Sequence, residues 1–336
     1  MTEKTPWTSA RYWKREGNAK ENTRCLLCPR SCLIKPGERG VCLTRLNKEG
    51  ELLALNYGYM CAAVDPVEKK PFFHWRPGTE IFSVGSFGCN LFCPFCQNAH
   101  LSRFGTPAGL HYVSPKDLVS LVQKAGYPSV AFTYNEPVVW YEFVMDVSIL
   151  LQRNRMDTVL VTNGFISPDP LEELLDVTMA MNIDLKGFYP RTYEKSVGSV
   201  EPVLHSIERA LEKGVHLEIT HLVVPGINDS LEEFNSMIKW IGDHSRYIPL
   251  HISRYFPSWQ WDKPPTSLEE IRIRKEIAMD HLHFVYTGNT GEMNYTFCPS
   301  CGKEIITRHA GRPVKIFVTP EGKCPFCNTS LGIVTR

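Results

Sequence analysis

Three cysteines stand close together in one short segment, with the spacing C-x3-C-x2-C: Cys89, Cys93 and Cys96. Three thiolates on so short a loop can bind three irons of a 4Fe–4S cluster, and the motif then supplies no ligand to the fourth iron. A metal with an open position can bind and activate a small molecule, whereas a structural site is closed by four protein ligands. The spacing therefore predicts a catalytic iron–sulfur centre, and a zinc ion with a remote fourth ligand is the alternative.

A second group of cysteines, near the C-terminus, forms two C-x2-C pairs: Cys298 with Cys301, and Cys324 with Cys327. Four thiolates in such pairs typically bind one tetrahedral Zn²⁺. A short segment with little core of its own gains its folding free energy from that ion. We therefore predict a zinc ribbon. Rubredoxin-type iron is the alternative, because it uses the same pairs.

A third group lies near the N-terminus and comprises Cys25, Cys28, Cys32 and Cys42. These residues supply a complete set of four thiolates, which suits either zinc or an auxiliary iron–sulfur cluster. We predict zinc here, as a structural staple. Cys61 belongs to no group and is predicted to be a small buried hydrophobic residue.

The composition argues against several classes of protein. Among 336 residues there are 37 Lys and Arg against 36 Asp and Glu, so the net charge gives no strong nucleic-acid signal. No run of about 18 apolar residues exists to span a membrane, and the N-terminal segment lacks the apolar core of a signal peptide. We expect a cytoplasmic protein without membrane association, whose 12 cysteines serve metal binding rather than disulfides.

The elements that must position these cysteines are alternating strands and helices. Short β-branched runs predict six strands, at 81–84, 129–133, 158–162, 181–185, 216–224 and 249–253. Amphipathic stretches predict helices between them, at 115–125, 138–151, 171–177, 203–213 and 231–242.

Strands and helices that alternate at this spacing require parallel crossovers. We therefore predict an α/β fold, a partial (βα)6 TIM-type barrel over residues 79–290, with its chemistry at the carboxyl ends of the strands. A Cys-rich module (1–78) precedes the barrel in this interpretation, and the zinc ribbon (291–336) follows it.

The three-cysteine loop reads CNLFCPFCQN and resembles the signature of the radical S-adenosylmethionine (SAM) superfamily, in which an aromatic residue precedes the last cysteine. Phe95 fills that place. The resemblance implies a 4Fe–4S cluster whose open iron binds the amino and carboxylate groups of SAM, with Phe95 near the adenine. It also implies an oxygen-sensitive enzyme, working under anaerobic conditions, that cleaves SAM to methionine and a 5′-deoxyadenosyl radical. That radical abstracts hydrogen from the substrate.

Five residues at or near the strand ends resemble SAM-binding residues of activating enzymes of the pyruvate formate-lyase type: Asn98, Glu136, Asn163, Asp184 and Lys186. The resemblance implies that Glu136 accepts a hydrogen bond from the SAM ammonium, that Asn98 and Asn163 reach SAM, and that Lys186 pairs with its carboxylate. Asp184 would bind a monovalent cation. The TYNEP segment departs from those enzymes, because Tyr and Asn stand where they carry two glycines. A helix cap, an ordinary Asn-Gly turn and a solvated Asp–Lys pair are the structural alternatives.

His251 and Arg254 lie at the end of the sixth predicted strand. We predict that His251 contributes to cofactor binding and that Arg254 lines the same pocket. Polar side chains at a strand end also commonly satisfy backbone carbonyls, so a structural role is the alternative for both.

Together, the segments CLLCPRSC, DPVEKKP, CNLFCPFCQN, TYNEP and DLK resemble the radical SAM proteins of the AmmeMemoRadiSam system, over nearly the whole chain. This resemblance implies an oxidoreductase acting on a protein or small-molecule substrate, supplied by an electron donor such as flavodoxin or ferredoxin. Activation of a glycyl-radical enzyme is one subcase. Methyl transfer lacks an additional methyl-carrying cysteine, and a catalytically silent nucleic-acid-binding or scaffold module is the alternative from another class.

Overall fold

The computed structural model describes residues 7–17, 21–105, 109–196 and 198–335. Two small antiparallel sheets form its N-terminal part, with the strand orders β1-β6-β5 and β2-β3-β4. Their strands are β1 (Thr8–Ser9), β2 (Trp13–Arg15), β3 (Thr23–Cys25), β4 (Leu33–Ile34), β5 (Arg45–Lys48) and β6 (Glu51–Ala54).

A nine-stranded sheet forms the centre of the molecule. Its strands are β7 (Tyr59–Pro66), β8 (Glu80–Gly85), β9 (His111–Tyr112), β10 (Ser129–Phe132), β11 (Asp157–Thr162), β12 (Ala180–Asp184), β13 (His216–Val223), β14 (Leu250–Arg254) and β15 (Val285–Gly288). The order is β15-β14-β13-β12-β11-β10-β8-β7-β9. All pairs from β8 to β15 are parallel, whereas β7 pairs antiparallel with β8 and β9 pairs antiparallel with β7.

Helices connect the parallel strands. They are α1 (Ala99–Ser102), α2 (Pro115–Lys124), α3 (Tyr141–Arg153), α4 (Pro168–Leu175), α5 (Pro190–Glu194), α6 (Glu201–Glu212), α7 (Leu231–His244) and α8 (Leu268–His281), with 3-10 helices at Val67–Lys69 and Pro137–Trp140. The predicted α/β fold with six strand–helix units is confirmed, with small shifts at the element ends. A seventh parallel strand, β15, extends the predicted barrel.

Local sequence signals explain where several helices begin. Ser114 accepts a hydrogen bond from the Asp117 amide at the start of α2, and Ser267 forms a capping box with Glu270 at the start of α8. The strands between the helices are buried on both faces, as parallel strands require. All four residues of β10 are buried, for example. The core therefore lies between the sheet and the helices and leaves the strand ends free to carry polar groups.

A third small sheet forms the C-terminal ribbon, with strands β16 (Asn294–Phe297), β17 (Glu304–His309) and β18 (Arg312–Ile316). The ribbon packs on the segment between β7 and β8. Val334 forms a parallel β-bridge with Trp75, and the Leu331 carbonyl oxygen lies 3.1 Å from Nδ1 of His74. Trp75 packs with Val159 and Ala180, near the amino ends of β11 and β12. The ribbon thus covers the amino ends of these strands. None of the helices in the described ranges is long and apolar enough to cross a membrane.

Candidate active site

A cavity of about 350 Å³ opens at the carboxyl ends of the parallel strands. Its walls come from the loops that follow β8, β10, β11 and β12, because the carboxyl ends of parallel strands meet at one edge of the sheet. It brings together nine of the ten predicted catalytic and cofactor-binding residues: Cys89, Cys93, Phe95, Cys96, Asn98, Glu136, Asn163, Asp184 and Lys186.

The three-cysteine loop is fixed from several sides. Gly88 has a φ of +87°, and a Cβ there would lie 2.4 Å from the carbonyl oxygen of Cys42, so no larger side chain fits. The Phe92 amide donates to the Ser196 carbonyl at 2.9 Å, and the guanidinium of Arg103 stacks 3.8 Å above the Phe92 ring. These contacts orient the loop toward the cavity.

The loop cysteines suit a cluster better than a single ion. Thiolate sulfurs around one zinc, with bonds of about 2.3 Å, lie about 3.8 Å apart. Among the described residues, Cys89, Cys93 and Cys96 do not form a group whose sulfurs all lie within 4.8 Å of one another. In a 4Fe–4S cluster each thiolate binds a different iron, which requires the wider spacing. Burial raises the pKa of the Cys89 and Cys93 thiols, so metal coordination must offset that cost.

Glu136 lies at the centre of a hydrogen-bond network at the end of β10. Its carboxylate accepts hydrogen bonds from the Thr162 hydroxyl at 2.6 Å, the Asn163 amide at 2.8 Å and the Val138 amide at 3.0 Å. Burial raises the pKa of Glu136 to about 7, although these bonds favour the charged form. The carboxylate therefore caps the following 3-10 helix and also faces the cavity.

The TYNEP turn lacks the two glycines of the activating enzymes, and contacts of the Tyr134 side chain hold its conformation instead. Tyr134 has a φ of +70°, a conformation that is unfavourable for a residue with a side chain. Its hydroxyl donates to Asp65 at 2.6 Å, and the ammonium of Lys70 lies 4.2 Å from its ring centre. Nδ2 of Asn98 donates to the Tyr134 carbonyl at 2.7 Å. Residues outside the turn thus hold a conformation that glycine would adopt freely.

Asp184 and Lys186 form an ion pair of 2.9 Å at the end of β12. Burial opposes the charge on Lys186, but the Asp184 carboxylate and the neighbouring Cys93 raise the pKa of its ammonium above the ordinary value. The pair with Asp184 thus favours the charged form of Lys186 in the wall of the cavity.

The structure places His251 outside this cavity. It lies on the same face of β14 as Ser253, two residues farther from the carboxyl end of the strand. Its Nε2 is 2.7 Å from the Glu218 carboxylate. Glu218 also accepts hydrogen bonds from the amides of Phe73 and His74. Arg254 is likewise absent from the cavity walls, because its Nε donates to the Thr266 carbonyl. Neither side chain lines the cavity of the three-cysteine loop, and the role of His251 in cofactor binding stays a prediction.

A second cavity, of about 620 Å³, adjoins the first and is the one that His251 lines. The two cavities share four wall residues: Lys69, Pro71, Ser253 and Asn289. The turn between β17 and β18 also lines the second cavity, between β7 and β15, two strands of the central sheet that do not pair with each other. Sequence reasoning missed these residues. Lys69 and Pro71 belong to the DPVEKKP segment, but their position depends on how β7 pairs, and Asn289 follows the strand that was not predicted.

The C-terminal cysteines form a compact group. All four sulfurs lie within 4.8 Å of one another, with Cys298 and Cys327 at 3.5 Å and Cys301 and Cys324 at 3.7 Å. This spacing matches thiolates around one tetrahedral ion, so the ribbon can bind a metal. The four N-terminal cysteines line a third cavity together.

Comparisons with known proteins agree with this architecture. The family model described as the radical SAM superfamily matches residues 83–241. An uncharacterized protein of Methanocaldococcus jannaschii is 38% identical over 323 residues, which cover 93% of this chain and 95% of that protein.

Two solved structures align with parts of the chain. Streptococcus suis SuiB bound to S-adenosylmethionine aligns with a TM-score of 0.50 at 16% identity, over 61% of this chain and about half (49%) of SuiB. A domain of the pyruvate-formate lyase-activating enzyme from Bacteroides vulgatus aligns with a TM-score of 0.40 at 18% identity, over 48% of this chain and 98% of that one. The family match and the barrel with its cysteine loop agree: the chain belongs to the radical SAM superfamily.

Proposed function

We propose that the protein is a radical SAM oxidoreductase that abstracts hydrogen from a protein or small-molecule substrate. One observation carries the proposal: three loop thiols, a buried carboxylate and a partly buried ammonium converge on one cavity at the strand ends. A 4Fe–4S cluster bound to Cys89, Cys93 and Cys96 would supply the electron that cleaves SAM to methionine and a 5′-deoxyadenosyl radical. The finer resemblance to the AmmeMemoRadiSam system stays a prediction.

The residues around the loop divide the recognition of SAM between them. Glu136 offers its remaining lone pairs to the SAM amino group, which makes a charge-assisted hydrogen bond to a buried carboxylate. Lys186 attracts the SAM carboxylate, and Phe95, a buried residue of the loop itself, packs near the adenine. Asn163 mainly positions the three-cysteine loop, since its Nδ2 donates a hydrogen bond to Oδ1 of Asn90 at 2.9 Å and lies 3.7 Å from Sγ of Cys89.

The second cavity is the proposed substrate entrance. Its volume of about 620 Å³ falls within the range of ligand pockets, and it shares a wall with the SAM cavity, so a substrate C–H bond can approach the site from that side. Its walls carry charges of both signs, from Asp65, Glu68, Lys69, Glu292 and Arg312. A polar substrate, such as a peptide segment or a charged metabolite, fits this lining better than an apolar one.

The test is SAM cleavage by anaerobically reconstituted protein, with dithionite as reductant and 5′-deoxyadenosine as the measured product. The parent protein should form it, and the triple variant Cys89→Ala, Cys93→Ala, Cys96→Ala should not. Cys61→Ala is the matched control, because Cys61 lies outside the three groups and its sulfur donates a hydrogen bond to the Gly85 carbonyl. Cleavage at the parent rate by the triple variant would overturn the proposal.

A further inference from the structure

The four N-terminal cysteines surround a cavity rather than meeting at a point. Cys25 ends β3, Cys28 and Cys32 lie in the loop to β4, and Cys42 follows the turn at Gly40. All four side chains line the same cavity, and the Cys25 amide donates to the Cys32 carbonyl at 3.0 Å. The chain has folded so that four thiols from two loops converge on one enclosed space.

A buried guanidinium in the wall of this cavity points to an occupant that accepts hydrogen bonds. Arg45 is only 1% exposed, and its Nη1 pairs with Glu142 at 2.7 Å. Its Nε and Nη2 have no hydrogen-bond partner within the part of the chain that the structure describes. Buried donors without acceptors cost free energy, and those of a charged group cost more. Sulfur atoms of a thiolate-ligated metal centre would accept these hydrogen bonds.

The spacing of the sulfurs distinguishes a cluster from a single ion. In the same chain, the four ribbon sulfurs all lie within 4.8 Å of one another, as one tetrahedral ion requires. Over the residues that the structure describes, no three of the N-terminal cysteines meet that criterion. Four thiolates that bind four different irons are held farther apart, with the irons and sulfides between them. The wider spacing of the N-terminal sulfurs favours a 4Fe–4S cluster over a single zinc ion.

The N-terminal cavity lies directly against the catalytic loop. The Cys42 carbonyl approaches Gly88 so closely that a Cβ on that glycine would lie 2.4 Å away. Asn90, which follows Cys89, lines the N-terminal cavity, and its Oδ1 accepts a hydrogen bond from Asn163 at 2.9 Å. Asn163 in turn contacts the sulfur of Cys89. A short path of protein atoms thus joins the two cysteine groups.

We propose that Cys25, Cys28, Cys32 and Cys42 hold a second 4Fe–4S cluster, which passes electrons to the centre at the three-cysteine loop. A low-potential one-electron donor, such as a reduced flavodoxin or ferredoxin, loses one electron to the N-terminal cluster. The same electron then reduces the loop cluster, and the N-terminal cluster returns to its oxidised state. No bond is made or broken in this transfer. The relay rests on the proposed function of the loop, whereas the identity of the N-terminal metal does not.

Metal and sulfide analysis tests the site. The full chain, purified anaerobically from cells supplied with iron and zinc, should contain about eight irons and about eight acid-labile sulfides. The triple loop variant should keep about half of each, with the electron paramagnetic resonance signal of a reduced 4Fe–4S cluster. Cys301→Ser, in the ribbon, is the control and should retain all the iron. Zinc in place of iron and sulfide at the N-terminal cysteines, in either the intact chain or the folded loop variant, would overturn the proposal.

The relay is tested by following the N-terminal cluster while SAM reacts. Both clusters are photoreduced, the reductant is removed, and SAM is added. The signal of the reduced N-terminal cluster should disappear in the parent protein as its electron moves to the loop, and should persist in the triple loop variant. A signal that persists in the parent while 5′-deoxyadenosine forms would overturn the relay alone. If no 5′-deoxyadenosine forms, the proposed function and the relay both fail, while the metal analysis still decides the site.

Discussion

The two ends of the parallel strands carry cysteines in different settings. At the amino ends, the ribbon holds four sulfurs in a compact group and docks through Trp75 and Val334. At the carboxyl ends, the loop cysteines and the N-terminal cysteines are spaced more widely and border cavities with buried charges. Sulfur spacing and neighbouring charge thus separate a site that stabilises the fold from sites suited to redox chemistry, although the cysteine motifs look alike.

The largest expected effect concerns the ribbon. Cys298→Ser should release the metal and unfold the ribbon, because zinc binding contributes on the order of 10 kcal/mol to the folding of such modules. The rate of SAM cleavage per loop cluster should change little, since the loop ligands do not involve the ribbon. Thermal melting with zinc analysis measures the first effect, and 5′-deoxyadenosine formation without substrate measures the second. A cleavage rate that falls in proportion to zinc content would break the comparison.

Glu136 should show a different pattern, because its substitution should weaken SAM binding directly. Hydrogen bonds to charged groups contribute about 1.5 to 3 kcal/mol, so Glu136→Gln should weaken SAM binding by roughly ten- to a hundredfold. Through its one oxygen, Gln can still accept hydrogen bonds from Thr162 and the Val138 backbone amide, but its NH2 group would face the Asn163 backbone amide, so that hydrogen bond is lost. Equilibrium binding under anaerobic conditions is the measurement, with Glu80→Gln, an exposed carboxylate, as control. An unchanged dissociation constant would leave Glu136 a structural residue.

The raised pKa of Glu136 predicts a pH dependence of the same binding. As pH falls through about 7 the carboxylate takes up a proton and becomes a weaker acceptor. The dissociation constant of SAM should therefore rise by up to about tenfold between pH 8 and pH 6. Ionising this buried group costs more in the folded than in the unfolded chain, so the free energy of unfolding should decrease as pH rises from about 4.5 to about 7. Glu136→Gln should remove both dependences, and their persistence would assign them to another group.

The smallest predicted effect is at Tyr134, which holds the turn before Glu136. Tyr134→Phe removes the hydrogen bond to Asp65 but keeps the ring beside Lys70. The free energy of unfolding should fall by about 1 to 2 kcal/mol, and SAM affinity should fall less than in Glu136→Gln. Denaturant unfolding measures the change, with Tyr112→Phe, an exposed tyrosine, for comparison. Equal losses of stability in the two variants would show that the anchor contributes nothing.

Sequence reasoning reached most of the barrel because each predicted strand is a compact β-branched run followed by an amphipathic helix. It missed β15, whose four residues end in Gly288 and follow no clear pattern. It also placed His251 at the cofactor cavity. Alternation along β14 gives the face of a side chain but not its depth, so only the structure could assign it to Glu218.

The cysteine groups show the same limit. Motif spacing predicts how many thiolates converge, and it predicted the compact metal site of the ribbon. It does not give the distance between sulfurs, which depends on how Gly40, Gly88 and Arg45 let two loops approach each other. The interpretation of the N-terminal group as a zinc site stays a prediction, and the wider sulfur spacing favours the alternative of an iron–sulfur cluster.

The central claim is that SAM binds the open iron of a cluster held by Cys89, Cys93 and Cys96, and pulsed electron–nuclear double resonance tests it most directly. The measurement uses the reduced protein with SAM labelled by ¹⁵N at its amino group. The account predicts a magnetic coupling between that nitrogen and the cluster in the parent protein, and none in the triple loop variant. A reduced parent protein that binds SAM without any such coupling would contradict it.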